Sequence, residues 1–291
     1  MNRPTREQAL VELCGAINQS VMRVAAYAAR NEMRQLLKEI PEKDRLEHFG
    51  RKVYSQNDED GIIQEIFRRL EFTSRSGRFV EFGVEQGLEC NTHFLLHCGF
   101  SGLWLDNFEE NVQLIRQKFK LAISRGQLEV LQTFVSTQNI DKLLSTYVGN
   151  DKDVVLLSID IDGNDFWIWE AIESISPAVV VIEYNAKFPP PLSIVQEYRP
   201  DHVWKGTDYF GASLEALNRL AKIKGYTLVT CNITGANAFF VRNELVKDRF
   251  PYDLSIGSLY HPCRYDLTDD GFRRVGHRPD FGPYVHIGSL E

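Results

Sequence analysis

The stretch Arg78-Phe79-Val80-Glu81-Phe82-Gly83-Val84-Glu85-Gln86-Gly87 reads as a short apolar strand that enters a glycine-bearing turn and then a helix. Gly83 and Gly87 let the backbone pass close to a ligand, and a helix start offers unpaired amide hydrogens. Glu81, at the strand end, is placed to accept a hydrogen bond from a ligand ammonium group. An ordinary strand-to-helix turn also carries glycine, so this stretch alone leaves the ligand open.

Working outward, strands and helices alternate. Strands are expected at Arg78–Phe82, Gly102–Leu105, Leu128–Phe134, Val154–Asp160 and Ala178–Tyr184, with helices near 90–98, 109–124, 138–147 and 164–174 between them. Val154-Val155-Leu156-Leu157 and Val179-Val180-Val181-Ile182 are apolar on both faces, as in a parallel sheet covered by helices on each side. The alternation then breaks. After a helix over Leu214–Ile223, the runs Tyr226–Cys231 and Asn237–Val241 are joined by Asn232-Ile233-Thr234-Gly235, too short for a parallel crossover, so an antiparallel hairpin follows.

Upstream, Leu10, Leu13, Ile17, Val21, Val24, Ala25 and Ala28 predict a helix over 5–40, stopped by Pro41. It is a cap or a contact for a homo-oligomer. A second helix is expected from Ser55-Gln56-Asn57-Asp58, ahead of a turn at Ser74-Arg75-Ser76-Gly77. The chain thus divides into a helical extension (1–50), an α/β core (51–245) and an irregular tail (246–291) rich in Pro, Gly, Tyr and His.

The next strand ends in Leu103-Trp104-Leu105-Asp106-Asn107, which puts an acid about 20 residues past the glycine turn, where it can grip two ribose hydroxyls. Asp106 can equally cap the following helix. The turn has two glycines rather than the three of a dinucleotide fingerprint, and its strand ends in an acid that would repel a pyrophosphate. S-adenosylmethionine therefore fits better than NAD. Asp160 and Asp162 alternate by two, so an extended strand end presents both on one face, and Glu183 and Asn185 repeat the spacing on the next strand. Asp160, Asp162, Glu183 and Asn185 together form a candidate site for Mg²⁺ or Mn²⁺, which would lower the pKa of an acceptor hydroxyl. The competing reading makes Asp162 and Asn164 helix caps.

Segment 185–211 is long for a connection and carries aromatic residues able to stack on a sugar ring. His202 is the candidate general base and Asp160 the second catalytic candidate, with Lys187, Lys205 and Asp208 as alternatives. His93 and His97 read as packing residues.

The composition, 43% hydrophobic and 25% charged, is enough to bury a sizeable core. A net charge of −7 argues against nucleic acid as a partner. Five scattered cysteines without a CxxC pair predict reduced thiols, and Met1-Asn2-Arg3-Pro4-Thr5-Arg6-Glu7 has no charged-then-apolar leader. No membrane span is expected, and a cytoplasmic location is.

Tyr54-Ser55-Gln56-Asn57-Asp58-Glu59-Asp60-Gly61, Phe79–Gly87 with Asn91-Thr92, Gly102–Asp106, and Ser158-Ile159-Asp160-Ile161-Asp162-Gly163-Asn164-Asp165 resemble the FkbM-like branch of class I methyltransferases. The resemblance covers residues 54–242 and implies a Rossmann-like, mostly parallel seven-stranded sheet with an antiparallel last strand. It also implies O-methylation of a sugar or polyketide hydroxyl, here a sugar hydroxyl of a glycan or glycosylated metabolite. By this likeness Glu81, Gly83 and Gly87 hold the methionine part of S-adenosylmethionine and Asp106 the ribose. Val135 and Ser136 lie beside the adenine, and Gln56, Glu85, Asn107 and Asp160 border the same cofactor. The chain departs from the family at Asp160-Ile161-Asp162-Gly163, where Asp-x-Glu-Gly is common, and in carrying Trp167 and Trp169 on the next helix. Two rivals are a metal- and sugar-nucleotide-dependent glycosyltransferase and a catalytically silent interaction protein.

Overall fold

The computed structural model describes residues 5–75, 77–148, 154–267 and 276–288. Met1–Pro4, Ser76 of the expected turn, and parts 268–275 and 289–291 of the expected tail lie outside them.

The chain opens with α1 (Arg6–Glu39), begun by a capping box in which Thr5 and Gln8 exchange side-chain-to-amide bonds. The core follows with α2 (Glu59–Arg69), β1 (Arg78–Phe82), α3 (His93–His97), β2 (Ser101–Asp106), α4 (Glu109–Lys118), α5 (Lys120–Ser124) and β3 (Leu128–Gln132). It continues with α6 (Ile140–Tyr147), β4 (Val154–Ile159), α7 (Asp165–Ala171), β5 (Val179–Glu183), β6 (Ile194–Gln196), α8 (Leu214–Lys224), β7 (Tyr226–Cys231) and β8 (Asn237–Arg242). After α9 (Asn243–Val246) and α10 (Ile256–Leu259), β9 (Tyr284–His286) closes the series.

The main sheet has seven strands in the order β3-β2-β1-β4-β5-β8-β7. Strands β1 to β5 are parallel, whereas β8 runs antiparallel to both β5 and β7. This is the Rossmann-like class I methyltransferase fold that the sequence predicts, hairpin included. Every residue of β4 is buried, because helices lie on both faces. One core packs α6, α7 and α8 against the sheet and the other packs α2, α3 and α4. The strand order reverses between β1 and β4, so their carboxyl ends diverge into a crevice.

Several boundaries differ from expectation, for physical reasons. The single helix expected over 109–124 breaks at Phe119, whose ring packs edge-on against Trp104 and His93. The tail is not irregular throughout. β9 pairs antiparallel with β6, forming a two-stranded sheet that ties the tail to the segment expected as a long loop. At the other end, Ala29, Met33, Leu36 and Leu37 of α1 pack with Ile233 and Leu267, so the helix is anchored through its C-terminal part. All five cysteines are free thiols. Among the described residues no helix is long and apolar enough to cross a membrane.

Candidate functional site

The crevice has a volume of about 570 Å³, within the range of small-molecule sites, and lies at the carboxyl ends of β1, β2, β4 and β5. Its first wall is the loop before α2. The Asp60 carboxylate accepts the amides of Val53, Tyr54 and Ser55 at 2.6–2.8 Å, curling the chain so that Gln56 and Asn57 face the crevice. The helix therefore starts at Glu59, later than the expected 55–58. Glu59 bonds Asn57, Asn232 and Asn237, fastening this loop to the hairpin turn.

Glu81 lines the crevice but is only 2% exposed. Its Oε1 accepts the Asn91 amide (2.8 Å) and the Ser158 hydroxyl (3.1 Å), while Oε2 accepts the Thr92 amide (3.0 Å) and the Thr92 hydroxyl (2.5 Å). A carboxylate offers about four acceptor positions, and the chain's own donors fill them. Glu81 thus holds the turn together and leaves no acceptor for the ligand ammonium expected of it.

The glycines differ from expectation in the same way. Gly83 has φ +72°, and a Cβ there would sit 1.7 Å from the Asp160 carbonyl oxygen. Gly87 has φ +69°, and a Cβ would meet the Trp104 ring at 2.6 Å. Both close approaches are to the chain itself. Gly83 still borders the crevice, whereas Gly87 does not. No helix starts at Gly87, since α3 begins only at His93, and the amides of Asn91 and Thr92 already bond Glu81.

Asp106 makes the capping bonds of one sequence reading and faces the crevice that the other requires. Its Oδ1 accepts the Phe108 amide (2.9 Å) and the Asn111 amide group (3.1 Å), which steadies the start of α4. The Glu85 amide also reaches this carboxylate, and Asp106 lines the crevice, as does Asn107. Burial raises the Asp106 pKa against these hydrogen bonds. Gln56, Glu85, Val135 and Asp160 line the crevice as expected, with Thr133 and Phe134 beside Val135. Ser136 does not, because its amide bonds Asn139 and turns into α6.

Asp160, Asp162 and Glu183 bring carboxylate oxygens within 4.8 Å of one another. They converge for a reason other than strand alternation. β4 ends at Ile159, and Asp162 takes a left-handed conformation (φ +57°) in a turn whose Ile161 and Gly163 amides bond the Asp165 carboxylate. Glu183 Oε2 is buried and has no hydrogen-bond partner. Burial first, then the charges of neighbouring acids, raises Asp160 and Glu183 well above the usual carboxylate range; burial, with Asp165 and Glu85, raises Asp162 to about 6. Hard oxygen donors at this spacing, one of them an orphaned buried oxygen, fit a divalent cation.

Asn185 does not join them. Its Nδ2 donates to the carbonyls of Asp208 and Phe210 at 2.9 and 3.0 Å, and its Oδ1 accepts the Lys187 amide. The chain turns after Glu183, so Asn185 clamps the following loop.

His202 lines the crevice, packed against Gly163, with Nε2 3.1 Å from the Asp162 carbonyl. A carbonyl only accepts, so the neutral ring carries its proton on Nε2 and keeps Nδ1 as an acceptor. Burial lowers its pKa, which favours that neutral form. The alternative bases fall away: Lys187 pairs with Asp208 and neither lines the crevice, nor does Lys205. Of the aromatics in the 185–211 segment, Trp204 lines the crevice, in edge contact with His277. Trp169 is core and Trp167 bonds the Gln196 carbonyl. His93 stacks on Tyr54, as a packing residue should.

Sequence reasoning missed Glu59, Asn237 and Tyr265 as lining residues, whereas His277, a tail histidine able to close the site, does line it. Glu59 lay inside a quoted motif, but the others carry no local signal.

The electrostatics are one-sided. Eight acids line the crevice (Glu59, Glu81, Glu85, Glu89, Asp106, Asp160, Asp162, Glu183), and no described Lys or Arg does.

No protein-family model and no curated protein matches the sequence. Solved structures similar to the chain include a Staphylococcus aureus protein provisionally described as a caffeoyl-CoA O-methyltransferase, 14% identical, with 80% of this chain and 97% of that one covered and a TM-score of 0.42. The N-terminal domain of EvdMO1, described with SAH and D-fucose, is 14% identical over 73% of this chain and 94% of that one, at 0.40. An O-methyltransferase family protein from Burkholderia thailandensis is 11% identical over 62% of this chain and 55% of that one, at 0.38, so the chain spans about half of its length. At these identities and scores the likenesses carry no argument about activity, which rests on the crevice.

Proposed function

We propose that this chain is an S-adenosylmethionine-dependent O-methyltransferase acting on a sugar hydroxyl of a glycan or glycosylated metabolite, with Mg²⁺ or Mn²⁺ at Asp160, Asp162 and Glu183. The observation that carries the reading is the charge of the crevice: eight acids and no described Lys or Arg. Such a site attracts a sulfonium and an ammonium, and it repels the diphosphate of a dinucleotide or a sugar nucleotide. That weighs against the glycosyltransferase alternative.

Bound there, S-adenosylmethionine supplies the methyl on its sulfonium, and a divalent ion supplies Lewis acidity towards the acceptor oxygen. The chain does the rest. Asp106, which lines the crevice, accepts the ribose hydroxyls, beside Asn107. Asp160, Asp162 and Glu183 release their protons when they ligate a cation, so the cluster titrates with metal binding. Neutral His202 takes the acceptor's proton at Nδ1 while its Nε2–H stays on the Asp162 carbonyl. Trp204 offers an apolar face to a sugar ring next to the acids. Alignment of hydroxyl, methyl and sulfur provides most of the acceleration.

Calorimetry tests the reading. S-adenosylmethionine should bind more tightly than S-adenosylhomocysteine, whose sulfur is neutral, and added salt should narrow the gap. Equal affinity, or binding of a sugar nucleotide in place of both, would overturn it. Full methyl transfer after exhaustive chelation would remove the ion from the mechanism.

A further inference from the structure

We propose that the outward face of α1 is the seam of an antiparallel helix pair formed with a second copy of this chain. This is independent of the function of the crevice. Every residue from 10 to 21 is exposed, and Leu10, Leu13, Ile17, Val21, Val24 and Tyr27 are 48–69% exposed. The face that docks on the chain's own domain is a different one, built on Ala29, Met33 and Leu36. α1 thus has two apolar stripes, and only one is covered.

The pattern of the open stripe indicates what covers it. Leu10, Cys14, Ile17, Val21, Val24 and Ala28 recur at alternating steps of four and three, the 3.5-residue period of a coiled-coil seam. Set antiparallel on itself, the stripe places Leu10 opposite Ala28, Cys14 opposite Val24, and Ile17 opposite Val21. Each layer then joins a larger side chain to a smaller one. A parallel pair would stack Ala28 on Ala28 and Cys14 on Cys14, and would put β-branched Ile17 and Val24 where two-stranded coils prefer leucine. At about 100 Å² from each of Leu10, Ile17, Val21 and Val24, and about half that from Cys14 and Ala28, two copies cover on the order of 1,000 Å², the threshold of a specific interface. A lipid surface fits less well. The rest of α1 mixes Glu7, Glu12 and Glu32 with Arg23, Arg30 and Arg34, whereas interfacial helices are rich in cations, and the chain's net charge is −7.

Sedimentation of the full chain at micromolar concentration should give a dimer. Ile17→Glu and, separately, Val21→Glu should weaken association at least about a hundredfold while far-ultraviolet circular dichroism stays native. Mild oxidation of Val24→Cys should link two chains through the native Cys14, and Cys14→Ser should abolish the link. A monomeric wild type, or a dimer indifferent to both charges, would overturn the proposal. Oxidative linking of wild type through Cys14 to Cys14 would replace it with a parallel pair. A monomer that sediments with phosphatidylserine vesicles would assign the stripe to a membrane surface instead.

Discussion

Glu81 is the last residue but one of β1 and Glu183 ends β5, two strands away along the same edge of the sheet. Both are glutamates at strand ends beside one crevice, and by sequence they look interchangeable. Their surroundings are opposite. Glu81 accepts from two backbone amides and two hydroxyls, while Glu183 has a buried oxygen with no partner at all. Native interiors pair their buried polar atoms, so a satisfied acid reads as architecture and an orphaned one as a place kept for something else. The difference gives Glu81 a part in the fold and, on the proposed function, leaves Glu183 for the chemistry.

Substitution of the two should separate these roles. Glu81→Ala leaves the Asn91 and Thr92 amides and two hydroxyls without their acceptor, at a cost of about 3 kcal/mol or more in urea unfolding. Glu183→Gln replaces a buried, protonated acid by an uncharged side chain of the same shape, so stability should hold, while methyl transfer falls about a hundredfold because the amide cannot ligate as a carboxylate. If Glu183→Gln unfolds the chain as readily as Glu81→Ala, the contrast is broken.

Asp106 stands between these two cases, capping α4 through Phe108 and Asn111 while lining the crevice. Asp106→Ala should weaken binding of S-adenosylhomocysteine by about ten- to a hundredfold, the range for a hydrogen bond to a charged group. Because Phe108 and Asn111 also lose a partner, stability should fall by about 1 kcal/mol. Unchanged affinity in calorimetry would make Asp106 a cap alone and shift the ribose elsewhere.

The sheet was legible because Val154–Ile159 and Val179–Ile182 are apolar on both faces, and because four residues between Cys231 and Ala236 admit no crossover. Strand ends were legible for the same reason, which is why Asp106, Asp160 and Glu183 were found. What could not be read was the direction of side chains once the strands end. Extrapolating a period of two past Glu183 put Asn185 in the cluster, but the chain turns there and Asn185 holds the carbonyls of Asp208 and Phe210. Asp162 reaches the cluster only through a positive φ, and an aspartate carries no mark of that in its sequence. Tyr265 and His277 reach the crevice from the tail, through packing between segments far apart in the chain.

Asp58 repeats the contrast on a smaller scale and with a readable pH dependence. Its Oδ1 is buried without a partner, and burial, helped by the charge of Glu59, raises its pKa to about 8. The folded chain therefore holds a proton that the unfolded chain gives up near pH 4, so this group weakens the fold as pH rises from about 4 to 8. Glu47 has the opposite sign. Although burial opposes it, bonds from His261 and Arg45 bring its pKa down to about 2, which contributes stability above about pH 4.5 that is lost as pH falls towards 2. Stability should therefore be greatest between about pH 4 and 5 and decline by several kcal/mol by pH 8. Asp58→Asn should make the alkaline side of this profile shallower, leaving the share that Asp160, Asp162 and Glu183 contribute with the same sign, and should leave the acid side in place, since Glu47 still titrates there. Urea midpoints at pH 3, 5 and 8 for both proteins are the measurement. An unchanged alkaline slope in Asp58→Asn would mean that Asp58 is paired in solution, and a bare oxygen at this edge would then mark a site only where other acids gather beside it, as they do at Glu183.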